Sequence, residues 1–554
     1  MSTTSLDFLQ VGGLYPPSTE VARLARYKRY DDLFYSRIKD AYSPYLKNSN
    51  GVSVSDELVK GMETIFNNPR IMNYARAITK KTVDLALSKK PYLISNKSDR
   101  DLDLIEIEHG TKIWKKVRQS LTDVSRYGNG YIREYNKIPR YNKTDDNGVA
   151  TLTEGEPACN AINPSMIVEV VNPLDREDTQ YFVIGWIDKV EKYPKNTGNT
   201  VPTSTQAEEE YYLTVEIHSR GEYEYKRFRV GSPILNFGQV KQYNLIEEVT
   251  DKNLKDKKFP TGLDDFAIKK LTGYTTTDNP NEGLSDYDML DTLMLELMQR
   301  VSQLSSVFTK HGNPSMQGGE SLLSNDENGN PVFYTGDFYP VAKDEQPLSY
   351  ITWDSQSKEI LEYCNQILQN IWILTEMGDG TIMGYTRDNN GFADSGKALR
   401  MKLASPLMKV QSILIDNQDT IVSILVDFAT IMGKEITQRD IEIKWQDGLP
   451  VDNIEEATIF QTRVASNTES IVFGLQRRFN MTPEQAQKEF EQILKEKKMT
   501  FENTQMQEMQ QSGQKDLTKE EKSTNSKVEE PKTRETIERS RDAKLSGDPK
   551  VKNN

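Results

Sequence analysis

Two runs of apolar side chains, spaced alternately four and three residues apart, constrain this chain more than any other feature. The first passes through Leu290, Met294, Leu297, Val301, Leu304 and Phe308, and the second through Ile360, Cys364, Ile367, Ile371 and Leu374. That spacing keeps one seam on one side of an α-helix, and a seam needs a neighbour to cover it. The first helix is expected to open at Ser285-Asp286-Tyr287-Asp288, a hydroxyl cap followed by carboxylates set against the positive end of the helix dipole. The second opens near Asp354, with Leu361, Leu368 and Trp372 widening its face. At about 1.5 Å per residue each spans roughly 30–36 Å. Between them, residues 310–353 carry Gly, Asn and Pro turns around short β-prone runs such as Pro331-Val332-Phe333-Tyr334, a small separate module. Residues 377–393 form a glycine-rich polar loop with Tyr385, Thr386, Arg387, Asp388, Asn389 and Asn390 at its centre. A cap at Asp394-Ser395 then leads into a helix running to about Met432, with a kink expected at Pro406.

At 554 residues the chain is too long for one hydrophobic core, since such cores stop growing near ~250–300 residues. Apolar residues make up 36% and charged residues 28%, a balance that suits an extended subunit completing its burial against copies of itself or partners. Cys159 and Cys364 lie far apart and read as reduced core residues, which fits synthesis in a cytosol. No apolar run approaches the ~20 residues of a membrane span, and Met1-Ser2-Thr3-Thr4 opens no signal peptide, so a soluble protein with no membrane partner is expected. The net charge is −13, yet residues 501–554 hold eleven acids and eleven Lys or Arg, so the body carries the whole deficit. An acidic body is a poor clamp for duplex DNA, which is held by neutralising phosphates. It suits a surface that DNA slides past without sticking.

Along the chain, Arg23, Arg26, Lys28 and Arg29 lie beside Tyr27, Tyr30 and Tyr35 on an early helix. Two readings stay open there: an arm touching a partner or nucleic acid, and a solvated basic face. A helix is expected from Asn68-Pro69-Arg70-Ile71 to Lys89-Lys90-Pro91, and another from about Asp101 to Arg126, closed by the left-handed turn that Tyr127-Gly128-Asn129-Gly130 permits. Strands follow at 131–135, 166–171, 181–190, 211–217 and 222–230, with a hairpin turn at Ser219-Arg220-Gly221, giving an antiparallel sheet built onto helices. Residues 193–210 read as an exposed insert, and 250–284 as polar and turn-rich. A late strand at 440–445 precedes Gly448-Leu449-Pro450, a helical segment resumes at Asn453, and Thr482-Pro483-Glu484-Gln485 starts a last helix over 480–498. The tail beyond is expected to be disordered.

Taken in order, these residues resemble the portal proteins, the head-to-tail connectors of tailed bacteriophages. The resemblance rests on five signatures: 68–71 through Leu87-Ser88-Lys89-Lys90-Pro91; Tyr127-Gly128-Asn129-Gly130-Tyr131; Gly283-Leu284-Ser285-Asp286 with its long helix; Ser395-Gly396-Lys397-Ala398-Leu399 with Lys402-Leu403; and 440–452. Together they cover about 68–498. The resemblance implies an α+β, mainly helical, elongated subunit. Its parts are an N-terminal arm and first helices (1–67), a wing of helices then antiparallel sheet (68–284), a two-helix stem (285–309 and 354–376), a small α/β clip (310–353) and a tunnel loop (377–393). A long kinked helix and return strand (394–450), a helical crown (451–500) and a charged tail (501–554) complete it. It further implies a homo-oligomeric ring, usually a dodecamer, at one vertex of the viral capsid, made in the bacterial host cytoplasm and carried in the virion. Double-stranded DNA passes through it in genome packaging and ejection. Its partners by that resemblance are the terminase large subunit, head-completion or adaptor proteins, and the major capsid and scaffolding proteins. The two seams become stem packing and residues 385–390 face DNA in the channel, while Lys397, Arg400, Lys402 and Lys409 are candidate contacts to DNA or scaffold or, equally, the solvated or intersubunit face of a helix. Arg387 is the loop's single cation, and the 193–210 insert and the tail have no counterpart in the family pattern.

Enzymatic readings find little footing. His109, His218 and His311 are isolated, no Gly-Lys-Ser or Gly-Lys-Thr phosphate loop exists, and residues 145–148 and 325–330 read as turns rather than calcium loops. No catalytic residue, metal or cofactor is expected, so the packaging ATPase must be another polypeptide. The alternatives are another virion structural protein, such as a capsid or tail subunit, and a metal-dependent nuclease.

Overall fold

The computed structural model describes residues 3–37, 40–41, 73–96, 100–137, 140–141, 152–192, 208–235, 240–249, 258–288, 290–312, 357–378, 401, 403–446, 453–479, 481 and 484–500, with four two-residue strands between 316 and 350. The chain is α+β with antiparallel sheets, and it divides into two units, 1–451 and 452–554.

In chain order the first unit contains β1 (Leu14–Tyr15), α1 (Val21–Phe34), α2 (Tyr74–Leu87), β2 (Tyr92–Ser95), α3 (Asp101–Thr111), α4 (Ile113–Tyr127) and β3 (Asn129–Asn136). Two short strands, β4 (Arg140–Tyr141) and β5 (Leu152–Glu154), lead to β6 (Pro157–Ile162), β7 (Ile167–Val171), β8 (Thr179–Lys192), β9 (Glu208–Ser219) and β10 (Glu222–Val230). Then come β11 (Ile234–Leu235), β12 (Lys241–Glu248), β13 (Lys258–Pro260), β14 (Ile268–Thr272) and α5 (Asp291–Gly312). Between α5 and α6 (Ser357–Leu374) lie β15 (Met316–Gln317), β16 (Ser324–Asn325), β17 (Pro331–Val332) and β18 (Ser349–Tyr350). The unit ends with α7 (Ala404–Ile431) and β19 (Ile441–Lys444).

The main sheet runs β1-β12-β10-β9-β8-β7, with β11 on β12 and β13 on β10. Its β9–β10 hairpin closes through Arg220 and Gly221, with Ser219 opposite Glu222 and φ +77° at the glycine. Alternation buries Val183, Leu213, Val215, Ile217 and Phe228 on one face. The first described residues cover that face and both sheet edges: Thr3 bridges Val170 of β7, while Leu14 and Tyr15 pair with β12. Gly185 makes room for this wrapping, because a Cβ there would stand 2.0 Å from the Tyr15 hydroxyl oxygen. The second sheet, β14-β3-β6, packs on α4, α3 and α7 through Val117, Leu121, Ile132, Leu271, Ile421 and Phe428, all buried. β19 pairs with β2, and the segments between the long helices make two ladders, β15 with β18 and β16 with β17.

The second unit holds α8 (Asn453–Ala465), α9 (Ile471–Phe479) and a helical segment over 484–500. Gly474 lies against the Phe460 ring, and Arg463 pairs with Glu469 at 3.5 Å.

Several expectations need correction. The first seam helix begins at Asp291 rather than Ser285, because residues 285–288 close a turn of their own. The helix expected over 101–126 breaks at Lys112, whose φ is +54°; this redirects the buried side from Leu104 and Ile107 to Ile113 and Val117. Pro406 does not kink α7; it lies in the first turn, where its missing N–H would have no partner anyway. The stretch 250–284 contains β14, disguised by two lysines whose charges are paired inside. The early basic helix is packed into the fold rather than a free arm, with Arg26 and Lys28 still partly in solvent. Arg23 bonds Glu20 (2.5 Å) and the Ile167 carbonyl (2.6 Å), Arg26 pairs with Glu282, and Tyr27 and Tyr30 are buried.

Candidate functional site: a helical pair on a buried polar root

The root of the pair is the turn at Ser285, and its hydrogen bonds explain why the helix waits until Asp291. The Ser285 hydroxyl accepts from the Tyr287 N–H (3.0 Å) and donates to the Arg126 carbonyl (2.6 Å), while the Ser285 N–H donates to the Asp288 carboxylate (3.0 Å). These bonds satisfy backbone groups that a helix end would otherwise leave bare. The Asp286 carboxylate accepts from the Ser125 hydroxyl (2.5 Å) and the Thr82 hydroxyl (3.1 Å) and lies 2.7 Å from the Lys409 ammonium. Lys409 also donates to the Thr375 carbonyl (2.8 Å) at the far end of α6. Tyr287 is fully buried, donating to the Ala75 carbonyl at 3.0 Å and bonded to the Thr79 hydroxyl at 2.6 Å. Five helices therefore converge here: α2 and α4 through hydroxyls, α7 through Lys409, α5 and α6 as the held ends. With Asp286 and Lys409 only 9% and 13% exposed in their side chains, each stabilises the other's charge where water cannot.

Two sequence signatures meet at this root. Gly128, with φ +87°, ends α4, and a Cβ there would stand 1.9 Å from the Gly283 carbonyl oxygen. Only glycine lets the two backbones touch, and Asn129 completes the contact by accepting from the Gly283 N–H at 3.0 Å.

The pair α5 and α6 is antiparallel: Asp286 and Thr375 share Lys409 at one end, and Arg300 lies 5.6 Å from the Tyr363 ring further along. Leu290 and Ile371 are fully buried, Met294, Leu297, Cys364, Ile367 and Trp372 nearly so, all in one cluster with Tyr27 and Tyr30. Burial raises the Cys364 thiol pKa, so Cys364 acts as an apolar filler. Val301, Leu304 and Ile360 are half-buried. Two seam residues depart from expectation: Phe308 is 61% exposed and Leu374 53%, with none of the described residues covering them. Leu361, expected to widen the face, is also exposed.

The loop residues Tyr385, Thr386, Arg387, Asp388, Asn389 and Asn390, and the cations Lys397, Arg400 and Lys402, lie outside the described residues, as does most of 313–356. Lys409, grouped with those cations in the sequence reading, is instead a structural residue of the root.

Sequence reasoning missed a buried ionic cluster between the second sheet and α7. Lys269 lies 3.0 Å from both Asp427 and Asp265, and Glu134, 1% exposed, stands beside Asp427 with no hydrogen bond from any other donor group. Burial, then the neighbouring Asp427, raises the Glu134 pKa well above the carboxylate range, and burial also raises Asp427. Two carboxyls side by side in so buried a place disfavour one another's ionisation. The available signal was a carboxylate inside an apolar run, Leu425-Val426-Asp427-Phe428. Burial likewise pushes Asp123 up to about 7, against the pull of Arg126. A cleft of about 430 Å³ beside α1 is lined by Arg23, Arg26, Glu20, Glu169 and Glu282, whose charges are paired among themselves or with Lys270.

Among the described residues no group of three or more His, Cys, Asp or Glu side chains is arranged to hold a metal, and no helix is long and apolar enough to cross a membrane. No model of a known protein family matches the chain, and no curated protein matches it either.

Proposed function

We propose that this chain is the portal subunit of a tailed bacteriophage: a ring-forming, non-enzymatic virion protein through which double-stranded DNA enters and leaves the capsid. The observation that carries this reading is the unfinished seam of α5 and α6. Its root is buried and bound to three other helices, α2, α4 and α7, while Phe308, Leu361, Ile373 and Leu374 stand 53–71% exposed. Covering one such side chain is worth roughly 1.5–3 kcal/mol, so neighbouring copies side by side gain what the lone chain leaves unused. In this reading α5 and α6 are the stem, 310–353 is the clip that meets the terminase and later a head-completion protein, and 377–393 is the tunnel loop. The first unit otherwise forms the wing, the helices of 453–500 the crown.

The mechanism follows from charge and geometry. A wall of helical pairs confines the duplex, and the net −13 of each chain repels phosphate, so DNA passes without being gripped. Arg387 and the asparagines at 389 and 390 supply the few polar contacts that form and release as the duplex moves. The lysine clamp at the root keeps each pair from tilting into the passage. Deleting 379–390 tests this mechanism. Capsids assembled with the shortened chain should keep their rings yet protect less DNA from nuclease after packaging; rings with unchanged protection would remove the loop from the mechanism. A capsid or tail subunit would instead give shells, tubes or spikes, and a nuclease would cut DNA with magnesium.

A further inference from the structure

The surface carries two patches of opposite sign. On β8 and β9 the register continues to Lys192 opposite Glu208, whereas β7 covers β8 only up to Ile184 and β10 covers β9 only from Tyr211. The last pairs thus form a two-stranded ribbon projecting past the sheet. Asp188, Glu191 and Glu209 are exposed on it, Glu210 is half-buried, and the described cation among them is Lys189, which bonds Glu209 at 2.8 Å. On the other patch, α2 and α4 pack antiparallel, Thr79 touching Ser125 and Asp84 pairing with Arg118. Their outer side exposes Arg76, Lys80, Lys81, Lys115 and Arg118 against the single carboxylate Asp84. At about 1.5 Å per residue this row runs roughly 17 Å, enough to receive a ribbon end of about 10 Å at about 3.3 Å per residue.

We propose that the β8–β9 ribbon of one copy docks on the α2–α4 face of the next copy. The inference rests on the ring reading and adds to it the pair of surfaces that meet. A ring closes through a heterologous contact, in which two different patches of the same chain must complement each other. This chain carries such a pair, of opposite charge and with the basic row long enough to take the ribbon end, on a chain of net charge −13. Charge complementarity at such a contact sets partner choice and register, and it weakens with salt.

The test is a charge swap in the full chain. K80E with K81E, and separately E191K with E209K, should each raise the rate of subunit exchange between labelled rings at least tenfold at ~0.15 M salt. All four substitutions together should bring the rate back to within about threefold of the native chain. Circular dichroism of each variant guards against misfolding, and the native exchange rate should itself climb with salt. Rings from both pairwise variants that exchange like the native ones overturn this contact and leave the ring reading standing. So does a K80E/K81E variant whose rings are unchanged but which no longer retains duplex DNA, because the basic face would then serve nucleic acid. A native chain that never assembles overturns both.

Discussion

The main sheet and the α5–α6 pair are built from equally apolar patterns and end in different states. In the sheet, Val183, Leu213 and Val215 are fully buried under residues 3–20, which reach both edges, and the exposed apolar side chains, Ile234, Leu235 and Ile246, are confined to β11 and β12 at one edge and Val190 near the end of β8. In the helical pair, burial falls along one seam: Leu290 and Leu297 are buried, Val301 and Leu304 half-buried, and Phe308 exposed. The difference teaches that the sheet's apolar face is covered largely within the chain, whereas the pair leaves apolar side chains open at both ends, Phe308 on α5 and Ile373 and Leu374 on α6, beside a buried polar root. In the proposed ring, this open seam is where neighbouring copies meet.

The comparison can be broken hardest at the root. Asp286→Ala leaves the Lys409 ammonium buried without its partner and should cost about 3–5 kcal/mol of unfolding free energy, read by urea denaturation. A loss below 1 kcal/mol would mean the root is not rigid. Next, Leu297→Ala and Ile371→Ala should each cost about 2–5 kcal/mol, matching a buried sheet position such as Val215→Ala in kind, because both ends of the comparison are true core there.

A pH scan sharpens the contrast differently. Asp123 has its folded pKa raised to about 7 from 3.8, and Glu134 and Asp427 are raised as well. The stability that comes with their protonated forms is complete below the unfolded pKa and is lost as pH rises through the folded values. The melting temperature of the native chain should therefore fall between pH 5.5 and 8.5, and Asp123→Asn should flatten part of that slope. A melting temperature that rises over this window would show the carboxyls are ionised. The smallest effect on the lone chain belongs to Phe308→Ser and Ile373→Ser. Both should change unfolding free energy by less than about 0.5 kcal/mol while reducing assembly, measured by sedimentation velocity.

What could be read from the letters depended on whether the physics was local. The seams, the β9–β10 hairpin and the glycine turn after Tyr127 were legible because period and turn chemistry act over a few residues. The start of α5 was misread because Ser285 and Asp288 bond each other, and capping residues signal a turn as readily as a helix. β14 was missed because Lys269 and Lys270 look solvated until Asp427 and Glu169, far off in sequence, are folded beside them. Lys409 looked like a DNA contact for the same reason: its partner Asp286 lies on another element. Long-range ion pairs leave no periodicity to find. The loop at 385–390 lies outside the described residues, so its role rests on the resemblance.

Negative-stain electron microscopy of the purified full chain tests the central claim most directly. The account predicts a perforated ring, with a central hole wide enough for a duplex and about twelve repeats around it. A field of single-chain particles, with α5 and α6 packed away inside each, would contradict it.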